Sequence, residues 1–196
     1  MYSDASCISS HRVRLVLAEK DITAEVVTVA SDEQPDQELL QINPQGTVPT
    51  LVDRELVLYD ARVINDYLDE RYPHPPFMPV DPVSRARTRL ALHRIESDWF
   101  ALLPEAASAS QTEPKAGALL AESIADANDV FAALPFFFSE DYSILDATLA
   151  PLLWRLPSYG IVLPESATAV KDYAQRMFSR PGFEASLSEA ERDMAR

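Results

Sequence analysis

The chain's single cysteine, Cys7, stands just ahead of two arginines in the arrangement Cys7-x-x-x-x-Arg12-x-Arg14. Val13, Val16 and Leu17 recur at helical spacing behind it, so Ser10–Lys20 reads as a helix with Cys7 near its N-terminal end. The positive end of a helix favours a thiolate, the form of cysteine that makes a mixed disulfide with a small thiol. The plainer alternative is a small, partly buried and inert side chain, the common state of a free cysteine.

A second candidate is Asp60-Ala61, at the start of a segment in which Val63, Ile64, Tyr67 and Leu68 make one apolar stripe. That stripe predicts a helix over Asp60–Tyr72. Asp60 is then either its N-cap or a carboxylate held toward a ligand. The third candidate is Tyr72-Pro73-His74-Pro75-Pro76-Phe77. Proline fixes φ and removes backbone donors, which explains a stiff linker. Stiffness does not explain His74 between two prolines with Phe77 and Met78 following. A rigid backbone presents such side chains to a partner at little entropic cost. His11 either lines the space near Cys7 or faces solvent from the first helical turn, and His93 reads as a core or inter-helix hydrogen bonder. His11, His74 and His93 lack metal-ligand spacing, and the chain has no phosphate-cradling glycine loop or Gly-x-Ser-x-Gly turn.

The elements that must position these residues alternate at first. Helix Ser10–Lys20 is followed by a strand-like Ala24–Val29 and a short helix Gln34–Ile42, ended by Asn43-Pro44. Strands Thr50–Val52 and Leu56–Tyr59 flank Asp53-Arg54-Glu55 at hairpin spacing, and helix Asp60–Tyr72 closes the series. Such alternation predicts helices covering a small mixed sheet. Beyond the prolines no convincing strand occurs. Ile95, Trp99, Leu102 and Leu103 make a helical face, Lys115–Phe131 is an alanine-rich amphipathic helix, and Leu145 to Leu156 form a leucine stripe. Ala167–Phe178 and Glu184–Ala195 make two more helices, the last charged and frayed. Ser143-Ile144-Leu145-Asp146 spells a capping box for the leucine-striped helix, which supports folding and carries no chemistry. The expected division is 1–75 as an α/β domain, 76–82 as a proline-rich linker and 83–196 as an all-helical domain.

The 196 residues are 47% hydrophobic and 24% charged, ordinary for a globular chain with a core. A net charge of −14 opposes direct nucleic-acid binding. The best basic patch, Arg85, Arg87, Arg89 and Arg94, is diluted by Glu96 and Asp98. One cysteine excludes an intrachain disulfide and fits a reducing compartment. Nothing resembles a signal peptide or a membrane span, so the expectation is a cytoplasmic protein without membrane contact.

Gln45-Gly46-Thr47-Val48-Pro49-Thr50-Leu51, the hairpin, and Leu58-Tyr59-Asp60-Ala61-Arg62-Val63-Ile64 together resemble the thioredoxin-like half of the glutathione transferases. The Ser143–Asp146 box matches the helical half of that superfamily. The resemblance implies an α+β thioredoxin-like N-terminal domain followed by an all-α C-terminal domain, with Pro49 cis. It also implies a glutathione-pocket-like set of Cys7, Val48, Pro49, Asp60 and Ala61, in which Cys7 occupies the place of the residue that contacts the glutathione sulfur. Glutathione-binding members carry an acid followed by serine where this chain has Asp60-Ala61. Losing that hydroxyl's bond to a charged ligand costs ~1.5–3 kcal/mol, so glutathione is expected to bind weakly at most and no cofactor to be required. Only Met1–Ser3 stand where this fold places its first strand, so a few upstream residues are expected to be missing.

Further blocks narrow the resemblance. Ser10-His11-Arg12-Val13-Arg14, Val16-Leu17-Ala18-Glu19-Lys20, Tyr67 to Pro76, Ala150 to Pro157 and Ser186 to Arg192 are similar to the stringent starvation protein A family. That bacterial family has the glutathione transferase fold, associates with RNA polymerase and lacks transferase activity. The resemblance implies a stress- or starvation-linked transcription regulator that acts on RNA polymerase holoenzyme through protein contacts, as a homodimer. It assigns Pro73, His74 and Pro75 to partner binding. Arg85, Arg87 and Arg89 could meet acidic residues across a twofold axis. The family more usually has an acidic residue at the position of Cys7. That departure keeps a second reading open, a cysteine-type glutathione transferase or thioltransferase with Cys7 as its catalytic residue.

Overall fold

The computed structural model describes residues 1–29, 37–103 and 115–194, which form two compact units. One contains Met1–Pro76 together with Arg180–Met194, the other Phe77–Ser179.

In the first unit, β1 (Tyr2–Ser3), α1 (Ile8–Glu19) and β2 (Val27–Thr28) are followed by α2 (Gln37–Ile42), β3 (Thr50–Asp53), β4 (Leu56–Tyr59) and α3 (Ala61–Arg71). The strands are ordered β2-β1-β3-β4. β1 and β2 are parallel, Tyr2 opposite Val27, which requires a crossover, and α1 supplies it. β3 is antiparallel to both β1 and β4, with Tyr2 opposite Thr50 and Thr50 opposite Tyr59. Arg54, at φ 58°, makes the left-handed turn of the hairpin. Tyr2, Val29 and Leu39 form a small core between strands and α2, with Val27, Ile42, Val48 and Val52 packed against it. This is the thioredoxin-like arrangement, and the Val48–Pro49 peptide is cis. The strand expected over Ala24–Val29 shrinks to Val27–Thr28, and residues 34–36 of the expected second helix lie outside the described residues.

The second unit is helical: α4 (Pro82–Asp98), a 3-10 turn at Phe100–Leu102, α5 (Lys115–Asp126), α6 (Asn128–Ala133), α7 (Ile144–Arg155) and α8 (Thr168–Phe178). The helix expected over Lys115–Phe131 is two helices, broken at Ala127. Central α7 is almost wholly buried, and Ser143 and Asp146 cap it reciprocally. Asp146 Oδ1 also accepts from the Phe137 amide (2.9 Å) and the Tyr173 hydroxyl (2.7 Å). Among the described residues no helix is long and apolar enough to cross a membrane.

Two expectations need correction. The expected helical domain ran to residue 196, but Arg180–Met194 belongs to the first unit. There α9 (Pro181–Ser186) packs along α1, and α10 (Glu189–Asp193) follows it. The single frayed helix expected over Glu184–Ala195 is therefore two helices, restarted by Ser188, whose capping box includes a fully buried Glu191. Arg180 forks onto Glu19 through Nε–Oε1 at 2.8 Å and a second bond at 2.6 Å. Secondly, Phe77 and Met78 are not presented to a partner. They are 2% and 4% exposed and root the start of the second unit. The Phe77 carbonyl accepts from the Ile144 amide (3.0 Å), and its ring meets Tyr142 edge-on.

Candidate functional site

The sheet register gathers three short segments at one end. β1 runs out at Ser3, β3 begins at Thr50 opposite Tyr2, and β4 ends at Tyr59 opposite Thr50. The turn carrying Cys7, the Val48–Pro49 corner and the Asp60-Ala61 corner thus share that end of the sheet. Cys7 is the N-cap of α1, half-buried, and its side chain makes no capping bond. Asp4, which is 4% exposed, pins the turn ahead of the helix: its Oδ1 accepts from the Ser6 amide (2.6 Å), the Ser6 hydroxyl (2.9 Å) and the Cys7 amide (2.8 Å). Asp60 is the N-cap of α3, at a left-handed φ of 76°, and its Oδ1 accepts from the Arg62 (2.8 Å) and Val63 (3.2 Å) amides. Ala61, 4% exposed, offers that corner only a methyl group.

Behind the Cys7 turn lies a polar cluster that sequence reasoning missed. His11 does not face solvent; it is fully buried. Its Nε2 meets Ser186 Oγ at 2.9 Å and its Nδ1 lies 3.5 Å from Glu191 Oε1. Arg14 donates to the Ser186 carbonyl, the Ser3 hydroxyl, the Asp4 carbonyl and Glu191 Oε2. The Ser188 hydroxyl donates to the Ala5 carbonyl. The returning C-terminal helices therefore brace the turn that holds Cys7. A signal for this existed in Ser188-x-x-Glu191, a capping box as legible as Ser143-x-x-Asp146.

Pro73, His74 and Pro75 are all exposed, just past the C-terminus of α3, and the His74–Pro75 peptide is also cis. At 1.5 Å rise per residue, α3 separates this segment from the Asp60-Ala61 corner by roughly 16 Å. Lys20 is the C-cap of α1, so α1 likewise has Cys7 at one end and the neighbour of the proline segment at the other. The Lys20 side chain is fully buried, and its ammonium donates to the Tyr72 carbonyl (2.7 Å) and the Pro75 carbonyl (2.6 Å), with Asp69 Oδ1 at 2.8 Å. Neither its residue type nor its spacing singles it out.

Two cavities lie away from Cys7, Asp60-Ala61, Lys20 and Pro73–Pro75. One, of about 400 Å3, is bordered by Tyr2, Glu38, Asp53 and Tyr67 in the first unit. The other, of about 800 Å3, lies along α4 between Arg87, Arg94, Trp99 and Phe138. His93, expected as a core or inter-helix hydrogen bonder, is exposed on α4 and so is not in the core. Arg94 pairs with Asp98 one turn on, at 3.5 Å.

A family model of the glutathione S-transferase N-terminal domain matches residues 1–76. The stringent starvation protein A homolog of Coxiella burnetii is 43% identical over 197 residues, spanning 99% of this chain and 93% of that protein. The chain belongs to the stringent starvation protein A family. Its similarity to the Pasteurella multocida homolog is of the same order, 44% identity over 190 residues, covering 95% of this chain and 89% of the other. The fold of this family member matches solved glutathione transferases. The Tau class enzyme of mango superposes with a TM-score of 0.84 at 22% identity, over 99% of this chain and 94% of that one.

Proposed function

We propose that this member of the stringent starvation protein A family is a cytoplasmic regulator of transcription under starvation or stress, which binds RNA polymerase holoenzyme as a homodimer. Pro73, His74 and Pro75 form the contact, and no cofactor is required. The observation that carries this reading is the exposed, proline-framed His74 in a chain related over its full length to stringent starvation protein A. The glutathione-like end of the sheet speaks for a reduced role. Asp60 Oδ1 caps two amides of its own helix and Ala61 has no hydroxyl to offer. A net charge of −14 fits regulation through a protein partner that itself meets the DNA. Val83 and Leu90, each 61% exposed on α4, suit a subunit interface together with Arg85, Arg87 and Arg89.

The deciding experiment compares retention on immobilised holoenzyme with retention on glutathione-agarose. Wild type should be held by the first and pass the second. Replacing Pro73, His74 and Pro75 by alanine should abolish polymerase retention while the dimer, by light scattering, stays intact. Normal polymerase binding by that variant overturns the reading.

The half-buried Cys7 at a helix N-cap supports the second reading, a glutathione-dependent thioltransferase. It requires thiol–disulfide exchange with glutathione that disappears in Cys7→Ser.

A further inference from the structure

We propose that Lys20 is a positioning residue of the Pro73-His74-Pro75 surface, holding His74 in place by binding the backbone on both sides of it. The inference rests on reading that surface as the polymerase contact. A segment with prolines at 73, 75 and 76 has few backbone N–H groups, so it cannot be fixed by donating to its surroundings. It can be fixed only through its carbonyls, and an ammonium is the donor suited to several at once. Lys20 has three N–H bonds for three acceptors: the Tyr72 carbonyl, the Pro75 carbonyl and the Asp69 carboxylate. The two carbonyls bracket His74 in sequence.

An ion pair serving stability alone would need only Asp69, which sits in the last turn of α3. The further reach to Tyr72 and Pro75 takes the charge beyond α3 and onto the loop. It also places a cation at the C-termini of both α1 and α3, where the helix dipoles favour one. The exposed imidazole thereby stands on a buried footing, its ordering cost met during folding and not on binding.

The first test uses the unaltered protein. Correlation spectra of 15N-labelled lysine side chains should show one ammonium with slow hydrogen exchange, that of Lys20, against the exposed Lys115 and Lys171. Absence of any protected ammonium overturns the proposal, whether or not a variant folds. The second test is Lys20→Met, which keeps the apolar stem. Its His74 imidazole cross-peaks should move while those of His93 stay, and polymerase Kd should rise about tenfold or more, as for lost hydrogen bonds to a charged group. The double variant Lys20→Met/His74→Ala should bind no more weakly than His74→Ala alone. Glu191→Gln, which weakens the same unit elsewhere, should leave the His74 cross-peaks unmoved. Unmoved His74 signals in folded Lys20→Met overturn the positioning role whatever happens to binding. Wild-type binding by His74→Ala instead overturns the contact surface, and the cross-peaks still decide the role of Lys20.

Discussion

Arg14 and Glu191, 177 positions apart, meet in an ion pair of 2.5 Å in which the Glu191 carboxylate is fully buried, tying α10 to α1. Glu191 also faces the His11 imidazole and caps its own helix through the Ser188 amide, so one carboxylate meets two side chains of α1 and the start of α10. Removing one partner of such a pair leaves an uncompensated buried charge. Glu191→Ala should therefore lower unfolding free energy by ~3–5 kcal/mol in urea titrations. Glu189→Ala, exposed one turn-position away, should change it by less than ~0.5 kcal/mol.

Glycine at 182 is set by space. A Cβ there would stand 2.6 Å from Glu19 Cδ and 2.7 Å from its Oε1, and that carboxylate is already held by Arg180. Gly182→Ala should push Glu19 off its partner and cost ~1–3 kcal/mol, the usual range for overpacking. Thermal unfolding of Gly182→Ala beside Arg180→Ala checks this. If the clash acts through the ion pair, the double variant should lose less than the two single losses combined.

Burial pushes the Asp146 carboxyl above the ordinary aspartate value, and its hydrogen bonds from Phe137, Tyr173 and Ser143 oppose the shift. A carboxyl raised in the folded state binds its proton to higher pH than the unfolded chain does. Its contribution to stability is therefore complete below the unfolded value of about 3.9 and declines as pH rises through the raised folded value. The stability difference between wild type and Asp146→Asn should accordingly shift against wild type on going up from about pH 4. Denaturant unfolding at a series of pH values measures it. A difference that grows in favour of wild type would reverse the sign of this argument.

At the glutathione-like corner, Ala61→Ser restores the missing hydroxyl at a buried helix start. Calorimetry should find glutathione affinity raised by about tenfold over wild type, the worth of one hydrogen bond to a charged group. Tight binding by wild type, with no gain in Ala61→Ser, contradicts the reading of that corner.

Cys7→Ala should leave holoenzyme binding within about twofold of wild type, because α1 and α3 set Cys7 and the proline segment at opposite ends of helices roughly 16–18 Å long. Surface plasmon resonance with both variants on one chip makes the comparison. Loss of binding in Cys7→Ala would move the functional surface to the thiol end.

Local chemistry was legible in the sequence; long-range pairing was not. The hairpin at Asp53-Arg54-Glu55, the Asp60 cap and the Ser143–Asp146 box depend on neighbours a few positions away, and each is spelled out by residue type. The cis Val48–Pro49 peptide came from family resemblance and from nothing in the residues themselves. His11 and Lys20 escaped for a common reason. Each is a polar residue on a helix whose partner, Glu191 or the Tyr72 and Pro75 carbonyls, arrives from elsewhere in the chain. The periodicity of α1 alone places such residues toward water. Phe77 and Met78 misled in the opposite direction, because a proline-rich neighbourhood resembles exposed linker even where two of its side chains root the next unit.

The return of Arg180–Met194 to the first unit fixes an order of events during synthesis. A ribosome finishes the strands and helices of Met1–Pro76 early, yet the pieces that bury His11 and neutralise Arg14 are made only after Phe77–Ser179 of the helical unit. Domains that are continuous in sequence can close as they emerge, N-terminal first. Here the N-terminal unit must wait, its α1 face uncovered, until Arg180–Met194 has been made. A nascent chain stalled before Arg180 would display that face to chaperones and proteases, while its helical unit could already be folded.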